Sequence, residues 1–240
     1  MIYAICLVAY FLKGLSGFGP ALVFVPAVGL LLGPRVTLVA SALIDLLVGL
    51  GMLLTLRYER EDWRFVLKMA GFVALGALIG SSLAGYVPAR VVLGLIGLFV
   101  LLFGASFIRY DLPLPPGLLR VRFFRPWTGC AVGGLSGGLV GISGPFILAV
   151  TRPLMDKSRF RRVMVAFFLF EGVVRLSVYG AVGMWNPEVV RLAVVACPAV
   201  IIGLIIGFCT HVTVTERRFN LMVGIVLVLI ALRIGWGLAG

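Results

Sequence analysis

GLSGFGP at residues 14–20 and GISGP at residues 141–145 decide how this chain is read, because each interrupts a long apolar segment near its middle. Residues 2–12 precede the first interruption and 21–32 follow it, while 128–139 precede the second and 146–155 follow. At about 1.5 Å per residue, each piece covers only about half of a ~30 Å hydrocarbon core. Each segment is therefore either a pair of half-helices that dips into the bilayer and returns, or one crossing broken at its centre. A break inside lipid frees backbone N–H and C=O groups, which is tolerated only where protein packs around the break or a wet cavity lies beside it.

The rest of the chain has the same character. With 62% hydrophobic and 12% charged residues and a mean hydropathy of +1.17, its 240 residues carry more apolar surface than a soluble fold of that size could bury. Eight apolar segments, at about 2–32, 38–56, 65–86, 89–108, 128–155, 163–184, 188–210 and 219–238, predict an all-α polytopic membrane protein solvated by lipid. The start, MIYAICLVAYFLKG, lacks a basic opening and a small-residue cleavage site, so it is read as retained structure. The net charge of +12 falls in short loops between apolar runs, where the positive-inside rule explains it without a nucleic-acid partner. Cys6, Cys130, Cys197 and Cys209 sit singly without CxxC spacing and are read as small packing residues. No metal site and no cofactor is expected.

Sliding the sequence on itself by 124 residues lays Gly14 on Gly138, Gly17 on Gly141, Arg35 on Arg159, Val39 on Val163 and Ala42 on Ala166. Further on, an offset of 127 lays Gly76 on Gly203, Gly80 on Gly207, Arg90 on Arg217 and Gly97 on Gly224. The order of these matches predicts a duplication, with repeats at 1–112 and 126–240 joined by a basic cytoplasmic linker at 113–125.

Loop charge separates the two readings of the broken segments. If all eight segments cross, nine basic residues (Arg57, Arg60, Arg64, Lys68, Arg109, Arg120, Arg122, Arg125, Arg191) face eight (Arg35, Arg90, Lys157, Arg159, Arg161, Arg162, Arg217, Arg218), which orients nothing. If segments one and five return to the side they entered, only Arg35, Arg90 and Arg191 remain on the poor side, three against fourteen. The positive-inside rule thus predicts re-entrant hairpins. One hairpin plus three crossings per repeat inverts the second repeat relative to the first. Both termini are then extracytoplasmic, and the two broken tips approach each other near the midplane, a recurrent design in secondary transporters.

Such tips suit an anion. A half-helix N-terminus presents unpaired N–H groups and the positive end of the helix dipole. The second half-helices are expected to start near Gly19-Pro20 and Gly144-Pro145, with Gly17 and Gly141 allowing the turn and Ser16 and Ser143 adding hydroxyl donors. Lys13, Asp45, Glu171, Arg175 and Arg233 are ionisable residues within or at the edge of apolar segments, where such groups are costly and mark a pathway or a paired network. Glu171 and Arg175 lie one helical turn apart and can pair. Arg175 matches Gly51 in the first repeat, so its charge belongs to one half only, and it is the preferred side-chain partner for an anion, with Lys13 second. Asp45 and Glu171 are candidates to carry a coupled proton. Arg233 is read as snorkelling to the interface, and Arg152 as either a site residue or the start of a loop. Glycines 76, 80, 203 and 207 are read as close-packing positions.

Three GxSG matches, at Gly14, Gly134 and Gly141, raise an intramembrane serine protease, which needs a base beside its serine. His211 is the sole histidine and lies near a helix end, so no enzyme is expected. A channel is the other alternative.

GLSGFGPALVFVP at 14–26 with GPRVTLVASAL at 33–43, and GLVGISGPFILAV at 138–150 with SRFRRVMVAFFLF at 158–170, resemble the two repeats of the sulfite exporter TauE/SafE family, also called the TSUP anion transporters. The family's G-x-G-G-G core followed by proline reads here as GFGPA at 17–21 with Pro26, and as GISGP at 141–145 with Val150 in the proline's place. The resemblance implies a secondary transporter in the cell inner membrane, an exporter of small sulfur-containing anions such as sulfite, thiosulfate or sulfoacetate. Its partners would be that anion and the lipid bilayer, with a homodimer among the assemblies left open.

Overall fold

A computed structural model describes residues 1–16, 19–110, 125–210 and 216–239. Among them the chain is helical apart from short links, with no strand. The elements are α1 (Ile2–Ser16), α2 (Pro20–Leu32), α3 (Pro34–Thr55), α4 (Arg60–Tyr86), α5 (Ala89–Tyr110), α6 (Pro126–Val140), α7 (Gly144–Thr151), a 3₁₀ turn (Arg152–Leu154), α8 (Lys157–Ala181), α9 (Pro187–Thr210) and α10 (Glu216–Ala239). By length and composition α3, α4, α5, α8 and α9 can each cross a bilayer, so the chain is a polytopic membrane protein. The sixth expected crossing is α10, whose described apolar stretch, Leu221–Gly237, is shorter. The linker expected at 113–125 and His211 lie outside the described residues, except that Arg125 caps α6.

Close packing of glycine against backbone fixes how the helices run. A Cβ on Gly76 would strike the backbone of Ala131 and Leu135, and one on Gly80 that of Leu135 and Leu139. From the other side, Gly134 and Gly138 abut Val73, Ala77 and Ser81. So α4 and α6 run parallel, their axes drawn together as small-xxx-small pairs allow. The same seam recurs between α1 and α9, where Gly203 meets Leu7 and Phe11, and Gly207 meets Phe11 and Gly14. The four glycines read as packing positions do that work, and Gly14, first noted as part of a break, joins them.

Two other pairs run antiparallel. Gly49 lies against Leu169, and Gly172 against Leu46 and Ala42, which sets α3 against α8. Gly97 lies against Ile234, and Gly104 against Leu227 and Gly224, which sets α5 against α10. Cys6 and Cys130 are buried packing residues as expected, but Cys197 and Cys209 face outward, because each falls on the side of α9 or its end that no other described helix covers.

The starts of α4 and α8 are tied by charge. Asp62 is buried and accepts from Arg162 (Nε to Oδ2 2.5 Å), while Arg159 (Nε to Oδ1 3.4 Å) lies against its other oxygen and Glu59 binds Arg162 at 3.1 Å. Asp62 also accepts from the Glu59 N–H at 3.1 Å, closing the first turn of α4.

Candidate functional site

Both breaks occur where glycine and proline require them. Gly19, at φ 93°, precedes Pro20, the first residue of α2. Gly141, at φ 79°, ends α6, and α7 begins at Gly144-Pro145 after Ile142 and Ser143. Left-handed backbone of this kind favours glycine, and proline loses nothing in a first turn whose N–H groups have no partner in the helix. The second tip is held in place from several sides. The Ser136 hydroxyl donates to the Ile142 carbonyl at 2.7 Å, bridging α6 to the tip. Phe146, in the first turn of α7, stands edge-on to Phe99 and Phe103 of α5, with ring centroids 5.8 and 5.4 Å apart.

The two half-helix starts meet at one pocket enclosing about 440 Å³ of atom-free space, its open mouth included. Lys13, Gly19, Pro20, Asp45, Gly141, Ser143, Gly144, Glu171 and Arg175 all line it. Of the residues nominated from sequence, Gly17 and the Ser16 side chain lie outside the described residues. Arg152 stands apart, its guanidinium 5.7 Å from the Phe160 ring, and Arg233 is exposed on α10.

Helical spacing places the side chains. Phe168, Gly172 and Arg175 share one face of α8, and Leu38, Ser41 and Asp45 share one face of α3. Because α3 and α8 run antiparallel, these faces meet. Arg175, 4% exposed, donates through Nη2 to the Ser41 hydroxyl (3.3 Å) and the Leu38 carbonyl (3.4 Å). Its Nη1 lies 3.8 Å from Glu171 Oε1, an ion pair without hydrogen-bond contact. Beneath it the Tyr179 ring centroid is 5.7 Å away, and the Tyr179 hydroxyl donates to the Gly138 carbonyl at 2.5 Å. Lys13, 2% exposed, does not snorkel: its Nζ donates to Asp45 Oδ1 at 2.7 Å, and the Tyr10 hydroxyl donates to the same oxygen at 3.2 Å.

The pocket therefore contains two cations and two carboxylates beside two helix N-termini. It has no group of His/Cys/Asp/Glu able to hold a metal ion among the described residues. Sequence reasoning missed Tyr10, Ser41, Ser136, Phe168 and Tyr179, which are ordinary helix residues until two distant helices cross.

A family model described as Sulfite exporter TauE/SafE matches residues 2–234. The chain belongs to that family. Among curated proteins, it is 26% identical over 157 residues to the "Probable inner membrane transporter protein TsaS" of Comamonas testosteroni. That match spans 63% of this chain and 63% of the relative, so it covers less than two thirds of the relative's length. No solved structure matches at a significant level. As a TauE/SafE member the chain is a multi-pass protein of a membrane transporter family, which points away from the protease suggested by GxSG. Ser136, the serine of the second such motif, is bonded to carbonyls of its own segment.

Proposed function

We propose that this chain is a secondary transporter, an exporter in the cell inner membrane, of small sulfur-containing anions such as sulfite, thiosulfate or sulfoacetate. The observation that carries the proposal is the meeting of two half-helix N-termini, at Pro20 and Gly144, with the buried cations Lys13 and Arg175 around one pocket. An anion there accepts hydrogen bonds from free N–H groups and from the Ser143 hydroxyl while Arg175 offsets its charge. The sulfur-containing class comes from the family's description.

Transport proceeds by alternating access between two inverted repeats, 1–112 and 126–240, with both termini outside the cytoplasm. This reading is supported by the helix directions: α3 and α8 match under the 124-residue offset and run antiparallel, and so do α5 and α10 under the 127-residue offset. A reporter cysteine near Arg35 is expected to label from the outside only, and one near Arg120 from the cytoplasm only. Labelling of both from one side would refute the inversion.

The function is tested on purified protein with sulfite, thiosulfate, sulfoacetate, sulfate and chloride. At about a hundred times Kd a true substrate adds roughly 2.7 kcal/mol to stability, so the sulfur oxyanions should raise the melting temperature and chloride should not. Saturable flux in vesicles supports a carrier, whereas a steady conductance supports a channel.

A further inference from the structure

We infer that Glu171 carries a proton together with the anion, so that transport couples one proton to each anion in the same direction; this rests on the anion-transport reading above. The sequence nominates Asp45 and Glu171 equally for such a role, and the geometry separates them. Asp45 is occupied by Lys13 at 2.7 Å and Tyr10 at 3.2 Å. Glu171 is buried, and among the described residues no cation hydrogen-bonds it and only the Ser143 hydroxyl stands near enough to approach it as a donor, short of good hydrogen-bond geometry. Its nearest cation, Arg175 at 3.8 Å, directs its bonds to α3 instead. A carboxylate shut away with a single hydroxyl beside it is costly to keep charged.

The surroundings explain why the proton and the anion come together. Glu171 is faced by Lys13 from α1, Asp45 from α3, Ser143 at the start of α7, and Arg175 from its own helix, while α6 brings Gly137, which bears no charge. A Cβ on Gly137 would strike Glu171 Oε1, so the fold reserves that space for the carboxyl group. With Lys13 and Arg175 charged, two carboxylates bring the empty pocket to neutrality. An arriving anion then adds an unbalanced negative charge beside Glu171, where like charges disfavour each other. One proton taken from water on the open side forms an O–H bond on Glu171, cancels one unit of the anion's charge, turns Glu171 from a repelling group into a donor, and frees Arg175 for the anion. On the other side the same O–H bond breaks as the anion leaves. An inward proton gradient consequently opposes export, and the anion's own outward gradient must drive it.

The test uses radiolabelled thiosulfate and vesicles containing the whole protein, with the voltage clamped at zero by potassium and valinomycin. One arm measures exchange with equal thiosulfate on both sides, and the other measures accumulation after a one-unit pH step, acid outside. Wild type is expected to exchange and to accumulate label about tenfold. Glu171→Gln, which mimics the protonated group, is expected to exchange at a reduced rate that no longer varies with pH, and to accumulate none. The proposal is overturned if Glu171→Gln accumulates like wild type, or loses exchange altogether while eluting as a folded protein. Wild type that exchanges without accumulating overturns it as well, with no variant needed. If wild type exchanges neither thiosulfate nor sulfite, the anion-transport reading itself falls.

Discussion

Replacing Arg175 with alanine is expected to reduce anion transport by about thirtyfold or more. Arg175 is buried, and it is the one pocket cation that binds α3 from α8, through the Ser41 hydroxyl and the Leu38 carbonyl. Truncating one member of a desolvated charge pair costs roughly 2–5 kcal/mol, and each 1.4 kcal/mol is about tenfold in affinity. The variant also leaves Glu171 without its nearest cation, so some melting-temperature loss is expected alongside the transport defect. The double variant Arg175→Ala/Glu171→Gln separates the two effects. It restores charge balance, so stability should recover while transport stays lost. Vesicle uptake and thermal melts read both quantities, and wild-type uptake by Arg175→Ala would remove this residue from the site.

The second large effect concerns packing. Gly80→Leu is expected to abolish recovery of folded protein from detergent, or to lower its melting temperature sharply, because the new side chain would meet the Leu135 carbonyl and the Leu139 N–H. Both obstacles are backbone, so no rotamer change relieves the clash and α4 and α6 must separate along the seam. Overpacking by extra methylenes costs about 1–3 kcal/mol even where side chains can give way. Gly71→Leu on the same helix is the control, since a Cβ there meets nothing within 4 Å. Equal melting temperatures for the two variants would show that the seam does not depend on glycine.

The breaks were legible because glycine and proline act locally. Pro20 opens α2 and Gly144 opens α7, where the sequence places the half-helices. The depth of the buried charges was legible for the same reason, since a run of apolar neighbours marks it. Their hydrogen bonds across helices were not. Spacing along α8 suggests Glu171 with Arg175, and that ion pair is present, but it does not reveal the hydrogen bonds of Arg175 to α3, 134 and 137 residues away in sequence. The tie between Asp62 and Arg162 was equally hidden, because each reads as a charge beside a loop until α4 and α8 lie side by side. Pairings of this kind depend on helix direction, which hydropathy does not contain.

The two glycine seams join each broken segment to the other half of the chain: α1 lies in the grip of α9, and α6 in that of α4. A half-length chain would thus have its own tip-bearing helix with no groove to seat it, and a vacant groove shaped for another. Motion of either tip-bearing helix is therefore felt first by a helix more than fifty residues away in sequence.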